Sequence, residues 1–238
     1  MDQIIQYLLA RYDPESVILY GSYADGSNNA ASDFDALVIT SCADHKRDTS
    51  LINGIQLDVF LFSPEEILCP RDFPQLYDCR ILLDKHGSAS QLCSNVRAYI
   101  DGLPGKSAEE IETNLVWCKK MLLRTDRGDT EGFFRWHWLL CDSLEIYCDI
   151  RRWFYFGPKK TLHRMEREDS AAFAVYGDAL SCLEKEKLAK WVTYLGCESV
   201  LRICSYFIPK VHCFPTSYPC FSYIFLFLFM SYPPKWVK

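Results

Sequence analysis

A Gly-Ser pair, Gly21 and Ser22, separates two short apolar runs, and an Asp-x-Asp pair, Asp33 and Asp35, leads into the second run. The runs are residues 17–20 and 36–39. Short apolar runs bounded by turn residues predict buried strands. We therefore expect a strand, a tight turn, a loop and a second strand. Asp33 and Asp35 should point to the same side, because side chains alternate along a strand.

These residue types suit the binding of a nucleoside triphosphate together with a divalent metal ion. Gly21 allows a tight turn where a side chain would clash. Ser22 and the amides that follow it can face phosphate oxygens at the start of a helix. Asp33 and Asp35 supply carboxylate oxygens, which Mg²⁺ prefers, although its octahedral geometry calls for further oxygen ligands.

Asp58 is the candidate for a third carboxylate. It is the single acidic residue in the largely apolar run at residues 55–62. A charge in such a run is costly unless it is paired or bound to a metal. If this strand lies beside the strand that begins near Asp35, Asp58 completes a carboxylate triad. The alternative is a charged residue that faces solvent on an edge strand.

The Gly-Ser pair, the Asp-x-Asp pair and the lone Asp58 occur in an order that resembles the polymerase-beta-type nucleotidyltransferase superfamily, most nearly the small antibiotic (aminoglycoside or lincosamide) nucleotidyltransferases. Residues 81–87 also resemble the last strand and turn of that domain. The resemblance covers about the first hundred residues. It implies an α/β (α+β) fold with a mixed sheet and two Mg²⁺ ions at Asp33, Asp35 and Asp58. It also implies transfer of a nucleoside monophosphate, AMP from ATP, to an acceptor hydroxyl with release of pyrophosphate.

The remaining pattern predicts strands first and helices afterwards. Strands are predicted at 16–20, 35–40, 55–62 and 80–84, and helices at 2–11, 88–100, 107–124, 130–156, 159–176 and 178–206. A Gly- and Pro-rich breaker at residues 101–105 marks a domain boundary. We expect a nucleotidyltransferase catalytic domain at 1–104 and a helical, acceptor-binding bundle at 105–238. Ser107 and Glu110 form a capping-box pattern at the start of the first bundle helix.

The composition of the chain limits which binding partners and which cellular environment are expected. The net charge of −5 argues against a protein that binds long nucleic acid, which normally carries a basic patch. The twelve cysteines lack Cys-x-x-Cys spacing, which favours reduced thiols in a cytoplasm over zinc sites or disulfides. The apolar run at 221–230 is shorter than the about 20 residues that a membrane span needs. It predicts burial in the core or in a homodimer contact.

Two features of the helical half are candidates for substrate binding. Five polar residues of the predicted long helix share one face: Arg135, Asp142, Glu145, Asp149 and Arg152. This face is either solvated and ion-paired or directed at the cleft. In the second case it grips the acceptor, as helical-domain carboxylates do in antibiotic nucleotidyltransferases. Glu145 is then the general base for the acceptor hydroxyl, with Asp58 as the fallback.

Lys159 and Lys160 follow Gly157 and Pro158, which suit a helix end and the first turn of the next helix. Two cations in a first turn oppose the helix dipole, which favours anions there. They predict a binding site for the triphosphate or for pyrophosphate, unless they are simply solvated.

The sequence is also compatible with a second functional class. Small nucleotidyltransferase domains also serve as antitoxin or regulatory modules that modify or bind a protein partner. The substantial helical half favours a small-molecule acceptor over that role.

Overall fold

The computed structural model describes residues 1–41 and 46–207, the last ten of these by their backbone alone. The chain divides into two compact units, Met1–Ser199 and Val200–Lys238. All the elements described here belong to the first unit, except that the last helix extends past Ser199 to Phe207. The apolar run at 221–230, predicted to be buried in the core or in a dimer contact, lies outside the described residues.

The first part of this unit is a mixed sheet with helices. Its elements are α1 (Asp2–Tyr12), β1 (Ser16–Leu19), α2 (Ser22–Asp25), β2 (Phe34–Ile39), β3 (Arg47–Asp48), β4 (Leu51–Ile52), β5 (Ile55–Phe62), β6 (Arg80–Asp84) and α3 (Ser88–Asp101). The strand order is β3-β5-β2-β1-β6, and β4 pairs with β5. Strands β2 and β5 are parallel, and the other pairs are antiparallel. The predicted mixed α/β fold is confirmed.

Helices or short turns cover both faces of the sheet. On one face, Ile4 and Leu8 of α1 belong to the same buried cluster as Val38. On the other, Leu92 of α3 is buried in a cluster with Leu37. Burial on both faces explains why residues 17–19 of β1 and 36–39 of β2 are continuous apolar runs and not alternating ones.

The rest of the unit is helical. Its helices are α4 (Ala108–Arg124), α5 (Thr130–Arg151), α6 (Pro158–Glu168), α7 (Ser170–Ser181) and α8 (Lys185–Phe207). The capping box at α4 is confirmed, since the Glu110 N–H donates to Ser107 Oγ (3.2 Å) and the Ser107 N–H donates to the Glu110 carboxylate (2.8 Å). A separate buried cluster around Tyr147 and Trp191 holds these helices together. The domain boundary at residue 104 stays a prediction.

The predicted start or end residues of three helices were wrong. The long helix ends at Arg151 and not at residue 156, because Arg152 adopts a left-handed conformation with φ 56°. The Trp153 N–H then donates to the Cys148 carbonyl (2.8 Å), which closes the helix in a Schellman pattern. The predicted helix at 159–176 is two helices separated at Asp169, a buried residue that accepts from the Ala172 N–H (3.1 Å) and so begins α7. The predicted start at 178 lies within α7, and α8 begins at Lys185.

Candidate active site

Asp35 and Asp58 lie directly opposite each other in the register of the parallel strands β2 and β5. Opposite residues project to the same face, and neighbouring strands are about 4.8 Å apart. Asp33 is exposed and lies just before β2. Burial, together with the negative charges of Asp58 and Asp33, raises the pKa of Asp35 to about 6. The structure therefore brings Asp33 and Asp58 close enough to Asp35 for their charges to affect its ionisation.

Gly21 lies in the turn between β1 and α2 and allows this turn to approach Asp35 closely. Its φ of +67° is a conformation that side chains rarely adopt, and a Cβ built on it would overlap the Asp35 carboxylate. The Tyr20 N–H donates to the Asp35 carbonyl (3.0 Å), which holds the turn against β2. Ser22, the first residue of the short helix α2, is buried. The absence of a side chain at Gly21 is thus a requirement of the site and not a general feature of the turn.

Tyr20 and Arg47 are neighbours of the carboxylates that sequence reasoning missed. Burial and then the charges of Asp35 and Asp58 raise the pKa of the Tyr20 phenol. The Arg47 Nε–H donates to Asp58 Oδ1 (2.7 Å), and the guanidinium lies 5.2 Å from the centre of the Phe60 ring. Tyr20 ends an apolar run and Arg47 lies in a two-residue strand, so neither stands out in the sequence.

The residues fit a divalent cation in their chemistry. Carboxylate oxygens are ligands that Mg²⁺ prefers. The repulsion that raises the pKa of Asp35 is also one that a bound cation would offset. Among the side chains of residues 1–41 and 46–197, however, no three from His, Cys, Asp or Glu are arranged as a ready metal-binding group. The metal-ligand assignment of Asp33, Asp35 and Asp58 stays a prediction.

Lys159 and Lys160 lie in the first turn of α6, as predicted. The charge of Lys159 opposes the rise in the pKa of Asp35. Burial tends to raise the pKa of Asp25. Hydrogen bonds from Ser27 and the charges of Lys159 and Lys160 outweigh burial and keep this pKa below its usual value. Lys160 also points toward Asp78, with 3.5 Å between Nζ and Oδ2. The start of α6 therefore faces the loop that follows Gly21.

The structure does not place Glu145 with the three aspartates. Glu145 is an exposed residue of α5, and its charge acts on Lys106 and Tyr155. Among the described charges, those that shift the pKa of Asp35 are Asp58, Asp33 and Lys159. The general-base role of Glu145 stays a prediction.

The rest of the polar face of α5 is largely ion-paired or hydrogen-bonded. Lys106 Nζ lies 2.9 Å from Asp149 Oδ2, the Trp138 indole N–H donates to Asp142, and Arg135 pairs with Glu131. These contacts agree with the solvated alternative for most of the face.

Residues 153–156, which were predicted to be helical, line two cavities, of which the smaller reaches Gly21. The smaller has a volume of about 340 Å³ and joins Tyr20 and Gly21 to the aromatic side chains Phe154, Tyr155 and Phe156. The larger, of about 470 Å³, is lined by Asp25, Ser27, residues 153–154 and basic residues of α6. The early end of α5 thus supplies an aromatic wall beside Gly21.

Residues 1–86 match the family model described as the nucleotidyltransferase domain. This part of the chain is a nucleotidyltransferase domain, and the prediction of a nucleotidyltransferase enzyme is confirmed at that level. None of the curated proteins has a sequence that matches this chain. Within the described residues, no helix has the length and apolar character to cross a membrane.

Several solved structures are similar to the chain, and two of them are described here. One is a nucleotidyltransferase-like protein from Exiguobacterium sibiricum 255-15, with 12% identity, a TM-score of 0.37, and coverage of 84% of this chain and 73% of that one. The other is a toxin-antitoxin structure with AMP-PNP, with 18% identity, a TM-score of 0.29, and coverage of 42% and 86%. At these TM-scores the assignment rests on the family match over residues 1–86.

Proposed function

We propose that this protein transfers a nucleoside monophosphate, AMP from ATP, to a hydroxyl of a small-molecule acceptor such as an antibiotic, with release of pyrophosphate. The observation that carries the proposal is the facing pair of Asp35 and Asp58 beside Gly21, within a nucleotidyltransferase domain. Facing carboxylates next to a turn that excludes a side chain leave room for phosphates and favour a divalent cation.

Asp33, Asp35 and Asp58 are the residues that would hold Mg²⁺. A bound divalent metal supplies Lewis-acid polarisation of the phosphate and stabilises a leaving pyrophosphate. The chain itself prepares these carboxylates. Arg47 fixes one oxygen of Asp58, and Lys159 favours the ionised form of Asp35. Asp35 must lose its proton to serve as a ligand, so the site is expected to work above the pKa of about 6.

Gly21, Ser22, Lys159 and Lys160 are assigned to the phosphates. Gly21 keeps the turn open beside Asp35, and Lys159 lies close enough to that carboxylate to affect its pKa. A lysine placed across from carboxylates can neutralise phosphate oxygens as a point charge.

The acceptor hydroxyl has to lose a proton as it attacks. Glu145 is the proposed general base and Asp58 the fallback. Glu145 acts electrostatically on Tyr155, a residue of the smaller cavity, which favours a position near the acceptor. Asp58 lies in the carboxylate cluster but has one oxygen engaged by Arg47.

The smaller cavity is the proposed acceptor site. Its volume of about 340 Å³ lies within the range of small-molecule sites. Phe154, Tyr155 and Phe156 provide apolar area for a ring-containing acceptor, and Gly21 places the cavity next to the carboxylates. These properties suit a hydroxylated antibiotic.

The test is a panel assay with labelled ATP, Mg²⁺ and hydroxylated antibiotics that include aminoglycosides and lincosamides. We expect pyrophosphate release and an AMP adduct on one acceptor, detected by mass spectrometry. Asp35→Asn should abolish both, whereas the matched control Asp13→Asn, at an exposed residue paired with Lys85, should retain them. Full turnover by Asp35→Asn would refute the site, and label that appears on a protein in place of the antibiotics would refute the acceptor class.

A further inference from the structure

Cys79 and Cys93 have their sulfur atoms 2.9 Å apart, although both are free thiols. Cys79 directly precedes β6, and Cys93 lies in α3, which packs against that strand. A disulfide bond is about 2.05 Å long, so the sulfurs need to approach by less than 1 Å to form a bond. Among the described cysteines, this is the pair whose sulfurs are in contact.

The two thiols differ in exposure. Cys79 is partly exposed, whereas Cys93 has a relative exposure of 1%. A small oxidant therefore reaches Cys79 first. Cys93 is held behind it by the apolar packing of α3 against the sheet, where Leu92 and Val96 belong to the same buried cluster.

The two thiols also differ in acidity. The contact between the two sulfurs, with the nearby Arg97 guanidinium, lowers the pKa of Cys79 although burial opposes it. The same contact and burial raise the pKa of Cys93. The Arg97 Nε–H donates to the Tyr77 carbonyl (3.1 Å), which fixes the guanidinium near Cys79. Thiolate character governs the reactivity of cysteine, so Cys79 is the expected nucleophile.

We propose that Cys79 and Cys93 form a redox-active dithiol site that hydrogen peroxide converts into a disulfide within the folded protein. The Cys79 thiolate attacks one peroxide oxygen and the O–O bond breaks, which leaves a sulfenic acid on Cys79. The released hydroxide takes up a proton and becomes water. The Cys93 sulfur then attacks the Cys79 sulfur, the S–O bond breaks, and a second water leaves with the Cys93 proton. Two thiols are oxidised and one peroxide is reduced to two waters.

The pair lies next to the proposed substrate cleft, but its chemistry is independent of nucleotidyl transfer. Tyr77 and Asp78 precede Cys79, and they contact Phe156 (ring centres 5.1 Å apart) and Lys160 (3.5 Å).

The sequence makes the disulfide easy to map. Trypsin releases residues 72–80, in which Cys79 is the single cysteine, and residues 86–97, in which Cys93 is the single cysteine. The wild-type protein is treated with one equivalent of peroxide, its remaining thiols are alkylated, and the digest is analysed by mass spectrometry. We expect the 72–80 and 86–97 peptides to be joined as the main product and to separate on reduction. Recovery of both peptides as separate alkylated species, with other cysteines oxidised instead, would overturn the proposal.

Four controls make the result specific. In guanidinium chloride the preference for this pair should disappear, because it depends on the fold. Cys69→Ser, at another partly exposed cysteine, should leave the cross-link intact, and its loss in this variant would count against the pair. Cys93→Ser should trap Cys79 as a dimedone-reactive sulfenic acid, whereas Cys79→Ser should leave Cys93 unmodified. The reverse pattern would overturn the assigned order of attack.

Discussion

Asp35 of β2 and Asp58 of β5 face each other across two parallel strands, and Arg47 binds the second of them but not the first. The electrostatic repulsion among these carboxylates therefore acts mainly on Asp35. Its pKa rises from an ordinary 3.8 to about 6, through burial and the charges of Asp58 and Asp33. The pair is electrostatically strained in a way that a proton or a divalent cation relieves, and both kinds of relief are measurable.

The first prediction concerns stability and pH at Asp35. Between about pH 4 and pH 6 the folded protein holds a proton on Asp35 that the unfolded chain has lost, so the free energy of unfolding falls as pH rises through this window. Asp35→Asn removes the charge. We expect this variant to be more stable than wild type by about 1–2 kcal/mol at pH 8, a value reduced for the partial exposure of the carboxyl. The gain should shrink below pH 4 in urea unfolding curves.

Mg²⁺ provides the check on this prediction. It should raise the melting temperature of wild type at pH 8 and leave that of Asp35→Asn nearly unchanged, because a ligand that binds the folded state alone stabilises it. Asp58→Asn should lower the pKa of Asp35, measured by NMR of the carboxyl carbon, since it removes a neighbouring negative charge. An unchanged Asp35 titration in this variant would contradict the electrostatic account of the pair.

The second prediction compares two glycines with positive φ. Gly21→Ala would place a Cβ on the Asp35 carboxylate, whereas a Cβ at Gly26 (φ +79°) meets nothing within 4 Å. At Gly26, with ψ 9°, an alanine has to adopt the left-handed conformation, which costs about 1–2 kcal/mol. Gly21, with ψ −155°, lies in a backbone region that is essentially restricted to glycine. Only Gly21→Ala adds the steric overlap, so we expect it to destabilise the protein more and to abolish nucleotide binding. Equal losses of stability in the two variants, measured by urea unfolding, would show that the close approach to Asp35 has no energetic consequence.

The main strands were predictable because each carries a short apolar run, which in β1 and β2 is buried on both faces of the sheet and in β5 on one face. β1, β2, β5 and β6 lie where the sequence indicated. β3 and β4 have two residues each, which is too short for any periodic pattern. Arg47 therefore could not be connected to Asp58 from the sequence, because their contact depends on the pairing of β3 with β5.

The helical half was harder to predict where ordinary end signals were missing. The C-terminal end of α5 uses Arg152 in a left-handed conformation where glycine is common. The buried Asp169 looked like one more polar position of a long helix, although it begins α7 and accepts from the Tyr147 hydroxyl (2.8 Å). As a result, the aromatic wall at residues 153–156 was not foreseen, while the position of Lys159 after Gly157 was.

The third prediction tests the approach of α6 to the carboxylates. The positive charge of Lys159 lowers the pKa of Asp35, so Lys159→Gln should raise that pKa further above 6. The acid limb of kcat/KM against pH should then move to higher pH. Lys160→Gln is the matched control for this readout, because Lys160 is paired with Asp78 and is not among the charges that shift Asp35. An acid limb that moves equally in both variants would mean that Lys159 has no particular relation to Asp35.

The last prediction concerns the aromatic wall of the smaller cavity. Phe156 lines this cavity together with Gly21, and its ring centre lies 4.7 Å from that of Phe154. Removing the ring takes away apolar area and an aromatic contact worth about 0.5–1.5 kcal/mol. If the cavity holds the acceptor, Phe156→Ala should raise the KM for the acceptor about threefold to tenfold and leave the KM for ATP nearly unchanged. Phe133→Ala, at an exposed residue of α5, is the control and should change neither value. A selective rise in the KM for ATP would instead place the nucleotide base, and not the acceptor, against this wall.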